Sequence, residues 1–419
     1  MRVNETGNLR ALRHRNFRIL FFANATSNVG SWMQRIAQDW LTLELTHSGT
    51  YLGFVTAVQF LPVIFLSMHG GAFADRMNKR KVLIYTNIAG GLSGAALGIL
   101  VVAHMVQIWH VFFFACTLGI SGAIDNPVRQ SFNSEIVGHE DIANAVSLNS
   151  ANFNAGRLIG PAISGWLIAA FGTGPSFLIN AFTYIFVIMA LLKMREKDFF
   201  IKERKASAGK IREAWSYIQA RPDLQAIMCI VFFQATFGLN FQIFNALSAT
   251  KIFHRGPASF GLLGTMIAVG SLSGAILSAR MERFKSPTFI IKGSICFGCS
   301  IAILSIMPNY TAYALWLPVC GFTALMTMIR ANALMQIHSD PAIRGRVMGI
   351  YLFIFMGGTP FGSPIIGWLA EVIGVRPTIA IGGIVTALAA LTTWFIYRNR
   401  MEVPTDFSID VVLPPTYNN

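Results

Sequence analysis

Long apolar runs, separated by short polar connections, fill almost the whole chain. A helix needs roughly 20 mostly apolar residues to cross a lipid bilayer. Because the runs lack the alternating pattern of a lipid-facing barrel, they predict an all-helical integral membrane protein with twelve transmembrane helices. We expect spans at about 17–42, 51–73, 82–103, 107–129, 142–171, 175–193, 223–248, 258–279, 287–307, 310–337, 343–373 and 376–398.

One long polar stretch divides these spans into six and six. Within it, Ile211, Trp215 and Ile218 recur at helical spacing among charged residues, which predicts an amphipathic helix in the membrane interface. The division predicts an N-terminal six-helix bundle at 1–193, a linker at 194–222, a C-terminal six-helix bundle at 223–398 and a tail at 399–419.

The two halves repeat one another in sequence. Residues 156–175 read GRLIGPAISGWLIAAFGTGP and residues 358–377 read GTPFGSPIIGWLAEVIGVRP, with eight of twenty positions identical at a shift of 202. Two units repeated in one orientation are typical of two-bundle transporters. Small residues let helices approach closely, so we expect helix contacts at Gly156, Gly160, Pro161, Gly165, Gly358, Gly362 and Gly367.

Charge is scarce and unevenly placed. Of 419 residues 54% are hydrophobic and only 12% charged, against about a quarter charged in soluble proteins. The net charge of +14 comes from Lys and Arg concentrated in alternate connections, most densely between Lys193 and Arg221. The positive-inside rule therefore places both termini and the middle loop in the cytoplasm. The expected partner is the lipid bilayer, with no nucleic acid.

Motifs for other chemistry are missing from the sequence. No HExxH pair, no GxxxxGK[ST] phosphate loop and no GxSxG nucleophile motif occurs. Cys296 and Cys299 form a CxxC inside an apolar span without a neighbouring His, which favours small buried residues over a metal site. We therefore expect no enzyme, no metal and no cofactor, and we expect no direct use of ATP.

A signature between spans two and three resembles that of the major facilitator superfamily. Residues 71–81 read GAFADRMNKRK, where Gly71, Asp75, Arg76 and Arg80 match its GxxxDRxxxR pattern. The stretches DNPVRQSF at 125–132, NSANFNAGRLIGPAISGWL at 149–167 and RGRVMGIY at 344–351 are similar to drug and siderophore exporters of that superfamily.

This resemblance covers roughly residues 10–400 and implies the major facilitator fold, with two pseudo-symmetric six-helix bundles. It also implies a monomer in a bacterial cytoplasmic (inner) membrane that exports a small amphiphilic molecule by alternating access and proton antiport. Uptake or lysophospholipid transport on the same fold is the alternative, and a non-transporting receptor is a more distant one. Two departures are Ser164, where antiporters often have Gly, and Ala279, where the second copy of the signature would have an acid.

A charge pair near the end of span four suggests a gate. Asp125 and Arg129 are four residues apart, and Arg330 is the expected counterpart of Arg129 in the second half. Charge pairs that form in one conformation and separate in the other would control access from inside, whereas static packing of helix ends is the alternative. The gate residues are Gly71, Asp75, Arg76, Arg80, Asp125, Arg129 and Arg330.

Span one carries a polar stripe about 80° wide. Such a stripe faces protein or water rather than lipid, so Asp39 either titrates in a central cavity or neutralises Arg35 near a hydrated outer end. Arg157, at mid-depth of span five, is expected either to attract an anionic group or to donate hydrogen bonds to the backbone carbonyls that Pro161 leaves without a helical partner. The proton or substrate candidates, for whose amides helix–helix hydrogen bonds are the alternative, are Asp39, Arg35, Arg157, Asn24, Asn28, Asn149, Asn152, Gln234, Gln242 and Asn245.

Overall fold

The computed structural model describes residues 9–76, 78–200, 211–280 and 287–398, without the side chains of 67–76, 211, 279 and 280. Regular secondary structure in this part of the chain is entirely helical. Ten of its helical segments are long and apolar enough to cross a membrane. One of the ten contains two crossings, and the polar first helix adds another, so the twelve-helix prediction is confirmed.

The first half contains five long helices that make six spans. They are α1 (Arg15–Thr46), α2 (Gly49–Arg76), α3 (Lys79–Val102), α4 (Ile108–Phe171) and α5 (Gly174–Leu192). Within α4, Gly138 has a φ of 71°, in the region that glycine adopts at little cost. This break separates span four from span five.

The second half begins with the short helix α6 (Ile211–Gln219), so a helix forms where the linker pattern predicted one. Its seventh span is composite, because π-helical turns at Gln234–Gly238 and Ser248–Ile252 follow α7 (Pro222–Phe233) and α8 (Phe241–Leu247) respectively. The remaining spans are α9 (Pro257–Arg280), α10 (Pro287–Ser305), α11 (Tyr310–Ile337), α12 (Arg344–Val372) and α13 (Val375–Tyr397).

Contacts group the described chain into two compact units. The first holds the described residues of Met1–Ala206 and Asn245–Ala268, and the second holds those of Ser207–Phe244 and Val269–Asn419. The linker boundaries proposed at 194–222 stay a prediction, and the tail at 399–419 lies outside the described residues.

Each unit has its own apolar core. In the first unit α1 packs against α4 and α5, with Phe17 and Phe132 among its fully buried side chains. In the second unit α10 packs against α11 and α13, and Phe297 and Tyr313 are fully buried. Because lipid is as apolar as these side chains, close van der Waals packing holds such helices together.

Candidate functional site

A pair of glycines brings α1 and α4 into close contact. A β-carbon added to Gly156 would lie 2.9 Å from the β-carbon of Asn28, and one added to Gly160 would lie 2.6 Å from that of Trp32. One turn further along α4, Ser164 donates a hydrogen bond of 2.9 Å to the carbonyl of Met33. The residue that departs from the antiporter pattern therefore joins the two helices itself.

The same face of α4 continues onto the start of α9 within the first unit. A β-carbon on Gly165 would lie 2.8 Å from the carbonyl oxygen of Pro257, and one on Gly264 would lie 2.9 Å from the β-carbon of Pro161. Gly156, Gly160, Pro161 and Gly165 thus all lie at helix contacts.

The second copy of the repeat makes a matching contact in the second unit. Gly358 and Gly362 both face Thr236, which lies in the π-helical turn after α7. One residue after Gly362, Ser363 donates a hydrogen bond of 3.1 Å to Oδ1 of Asn240. Gly367 is buried.

Two guanidinium groups lie against one indole in the first unit. The guanidinium carbon of Arg35 is 5.2 Å from the centroid of the Trp32 ring, and that of Arg157 is 5.8 Å from it. Arg35 is also 5.5 Å from the ring centroid of Phe60 on α2. Both Arg side chains and Trp32 are half-buried. The glycine contact therefore places two cations of different helices beside one aromatic surface.

Asp39 lies one turn beyond Arg35 and is 2% exposed. The expectation of a hydrated carboxylate at this end of α1 is wrong, because α1 is enclosed along the whole stretch from Ile36 to Leu43. Its Oδ2 atom has no hydrogen-bond partner among the described residues. Such a carboxylate is costly to keep ionised unless a cation is close.

Asp125 and Arg129 form a closed network that joins three helices. Arg129 donates to both carboxylate oxygens of Asp125, at 2.7 and 3.0 Å, and to Asn24 on α1 at 2.9 Å. From α3, Thr86 donates to Asp125 at 2.8 Å and Asn87 at 3.2 Å. These partners all belong to the first unit, so the pair holds α1, α3 and α4 together, and the gate stays a prediction.

Arg80 and Arg330 meet helix ends and carbonyls. Arg80 donates to the carbonyls of Leu191 and Leu192, at 2.7 and 2.8 Å, which caps the C-terminus of α5. Arg330 is buried and donates to the carbonyl of Ser278 at 2.5 Å. The side chains of Gly71, Asp75 and Arg76, the other gate residues, lie outside the described part of the chain.

Apart from Asn24, which accepts a hydrogen bond from Arg129, the six other amide candidates differ in burial and in contacts. Asn152 is buried and donates to the carbonyl of Phe21 at 3.0 Å, and Gln234 is buried and donates to that of Ala324 at 3.5 Å. These two join helices, as the structural alternative proposed. Three are half-buried (Asn28, Asn149 and Gln242) and one is fully buried (Asn245).

Sequence analysis missed a cluster in which basic residues just before α1 surround one carboxylate of α4. Asp141, just after the break in α4, accepts from Arg10 and Arg13 at 3.0 Å each and from His14 at 2.7 Å. The backbone N–H of Ala11 also donates to Asn144 at 2.9 Å. We call this group the first latch. It ties the chain before α1 to the corner between spans four and five.

A second latch precedes α7 in the second unit. Arg221 donates to both carboxylate oxygens of Asp223, at 2.9 and 2.8 Å, and His338 at the end of α11 lies 2.8 Å from the same carboxylate. Burial opposes the charge of Arg221, but its bonds to Asp223 hold the pKa of Arg221 above its ordinary value. For the second latch the available signal was an acid two residues after Arg221 at a span boundary, whereas Asp141 of the first latch follows Glu140 and is far in sequence from its bases.

These arrangements offer charge and hydrogen bonding rather than covalent chemistry. In the described part of the chain, no three His, Cys, Asp or Glu side chains are grouped so as to hold a metal ion. A membrane-embedded set of Arg, Asp and aromatic side chains can bind, orient and release a small molecule or a proton.

Comparison with known proteins agrees with this fold. A family model described as transmembrane secretion effector matches residues 6–412. A staphyloferrin A transporter of Staphylococcus aureus is 25% identical over 88% of this chain and 93% of its own length. The multidrug efflux pump Tap of Mycolicibacterium fortuitum is 25% identical over 91% of this chain and 96% of its own length.

Among solved structures, a bacterial homologue of the human lysosomal transporter Spinster, in an inward-facing and unoccupied conformation, aligns with a TM-score of 0.76. It shares 13% sequence identity, and the alignment covers 94% of this chain and 99% of that one. This likeness shows the fold. The resemblance to major facilitator exporters of drugs and siderophores is confirmed.

Proposed function

The chain belongs to the transmembrane secretion effector family of major facilitator transporters, and from this we propose that it exports a small amphiphilic molecule by proton antiport. It is a multi-pass membrane transporter of small molecules and not an enzyme. The names of two relatives, a staphyloferrin A transporter and a multidrug efflux pump, support the substrate class, and the second name supports the direction.

One observation carries the proposed site: membrane-embedded charge is concentrated where α1 and α4 meet. Arg35 and Arg157 lie beside Trp32, and buried Asp39 lies one turn beyond Arg35. Charged groups inside a membrane are expensive, and transporters keep them at substrate and ion pathways. We assign the substrate to this region.

Access to the site alternates between the two sides of the membrane in this proposal. Asp75, Arg76, Asp125 and Arg129 control the inner gate, with Arg330 as the second-half counterpart. The network around Asp125 supports this proposal, because it joins the end of span four, within α4, to α1 and α3. The protein acts as a monomer in a bacterial cytoplasmic membrane, with both termini in the cytoplasm, as the distribution of Lys and Arg favours.

Inverted membrane vesicles test export and coupling together. Vesicles from bacteria with and without the chain are energised to acidify the lumen, then supplied with ethidium, with 2-naphthoate, and with a panel of siderophores and antibiotics. We expect chain-dependent accumulation of at least one compound, and its loss when a proton ionophore is added.

Three results would contradict parts of this proposal. Accumulation that survives the ionophore would exclude proton coupling. Accumulation found only in right-side-out vesicles would establish uptake instead of export. Full transport by the Asp75→Asn variant would remove the gate assignment.

A further inference from the structure

The two guanidinium groups beside Trp32 are not neutralised in the ordinary way. Neither Arg35 nor Arg157 makes a hydrogen bond or salt bridge to another side chain in the described part of the chain. They instead contact the same indole from two helices. Because both guanidinium carbons are measured from the centroid of the Trp32 ring, the distance between them cannot exceed those two distances added together. Two like charges thus lie beside one indole inside a membrane protein.

The charge balance of this cluster is positive. The carboxylate of Asp39 attracts the guanidinium of Arg35, whereas the guanidinium of Arg157 is repelled by that of Arg35. The other acid–base pair on these helices, Asp125 with Arg129, is already closed on itself. Among the side chains that the structure describes, one carboxylate therefore opposes these two cations, and at least one positive charge is left for a ligand to balance.

The cluster is partly exposed, and its exposed side faces water and not lipid. Trp32, Arg35, Phe60 and Arg157 are all half-buried, and Phe153 adds an aromatic edge 5.6 Å from the Trp32 ring. A guanidinium does not face hydrocarbon when it has an alternative, so the accessible side of this cluster faces a water-containing path. The surface there combines two forked donors with aromatic faces.

We propose that Arg35 and Arg157, with Trp32 and Phe60, form a binding site for an amphiphilic organic anion. A carboxylate fits between two guanidiniums because each presents paired N–H donors that match two oxygens. The apolar or aromatic body of the anion packs on Trp32 and Phe60. The inference rests on the proposed function, since it takes this anion to be the exported substrate.

Asp39 has a defined part in this proposal. When ionised, it competes with the anion for Arg35, so loss of its charge strengthens anion binding. A proton taken up by Asp39 would act in the same direction and would not displace an anion. Asp39 then tunes the affinity of the site, and the proton exchanged in antiport binds at another group.

Equilibrium binding to the purified full-length chain in detergent tests this without requiring transport. The probes are 2-naphthoate, its neutral isostere 2-naphthamide and the cation 2-naphthylmethylammonium, titrated by calorimetry. We expect saturable binding of 2-naphthoate, with at least tenfold weaker binding of the amide and the cation.

Variants separate the charge from the fold. Arg157→Gln and Arg35→Gln should each weaken 2-naphthoate binding about tenfold, Arg157→Lys should weaken it less, and Asp39→Asn should tighten it. The matched control is Lys292→Gln, which removes an exposed cation from α10 in the second unit and should change nothing. A variant that merely disturbs folding would not tighten binding, so the Asp39→Asn result remains informative if an Arg variant fails to fold.

Two outcomes would overturn the inference. Equal or stronger binding of the amide or the cation would show that the site does not select anions. Weaker binding of 2-naphthoate by Asp39→Asn would remove the competition on which the charge argument depends. Either result would leave the proposal of export standing, because the vesicle experiment tests export separately. Conversely, vesicles that show no export would leave the result of the binding experiment valid.

Discussion

Spans one and five pack through Gly156 and Gly160, and spans seven and eleven pack through Gly358 and Gly362, yet the two pairs carry different chemistry. In the first half α1 is an unbroken helix of 32 residues that carries charge along its stripe. In the second half the seventh span is interrupted by two π-helical turns and carries amides instead. The same packing therefore supports a charged stripe in one half and, in the other, a broken span whose charges, Asp223 and Lys251, lie only near its two ends.

The difference shows which part of the repeat the fold requires. Close backbone approach is kept in both copies because a side chain at these glycines would overlap the facing helix. Charge is not kept: Arg157 matches Thr359 at the shift of 202 that aligns the glycines. A symmetric scaffold thus holds an asymmetric site, with the membrane-embedded cations of the α1–α4 contact in the first half.

The largest effect we predict comes from opening the charged network of the first half. Asp125→Asn leaves Arg129 without its bidentate partner and weakens the bonds from Thr86 and Asn87. Breaking a largely buried ion pair on one side typically costs about 3 kcal/mol or more. The free energy of unfolding, measured by SDS titration in mixed micelles, should fall by about that amount.

Glu140→Gln is the matched control, since it makes the same change at an exposed position of α4 and should stay within about 0.5 kcal/mol. The double variant Asp125→Asn/Arg129→Gln should recover part of the loss, because no uncompensated cation remains. If Asp125→Asn behaved like Glu140→Gln, charge would not hold the helices of the first half together.

Adding one carbon to each glycine contact should give a smaller effect that is similar in the two halves. Gly160→Ala would push against Trp32 and Gly362→Ala against Thr236, and overpacking of this kind costs about 2 kcal/mol. The same unfolding titration compares the two variants. A large difference between them would show that the repeat preserves sequence without preserving packing.

Each glycine has a control on its own helix. A β-carbon on Gly122 in α4 or on Gly349 in α12 would meet nothing within 4 Å. Because alanine favours a helix over glycine by up to about 1 kcal/mol, Gly122→Ala and Gly349→Ala should be neutral or slightly stabilising. If these controls lost as much free energy of unfolding as Gly160→Ala, the effect would come from reduced helix flexibility and not from overlap with the facing helix.

Sequence reasoning recovered what depends on local pattern. Length and hydropathy predicted the twelve spans, and the matched glycines at 156–175 and 358–377 indicated where helices touch, though not which ones. The π-helical turns of the seventh span gave no signal in the sequence, because they contain no proline. The partners of Asp125 on α3 and the burial of Asp39 were also invisible, since both depend on neighbours distant in sequence.

The smallest effect we predict is a difference between the two latches. In the first latch two of the three bases are open to solvent, with Arg10 and Arg13 side chains 40% and 42% exposed and His14 17%, whereas in the second latch Arg221 is 9% exposed and His338 is 4%. Exposed pairs contribute about 1 kcal/mol or less, and buried partners lose more when a carboxylate is removed. Asp223→Asn should therefore destabilise the chain by about 1 kcal/mol more than Asp141→Asn does.

This comparison reverses the asymmetry seen at the glycine contacts, since both carboxylates are buried but only the second half also buries their basic partners. Asp198→Asn, at an exposed position after α5, controls for the loss of a carboxylate as such. We compare the loss in free energy of unfolding of each variant with that of Asp198→Asn. High salt should reduce this difference for Asp141→Asn and leave it unchanged for Asp223→Asn, because ions screen exposed pairs far more than buried ones. Equal salt dependence of the two variants would show that both latches are solvated, and burial at the helix ends would then not distinguish the halves.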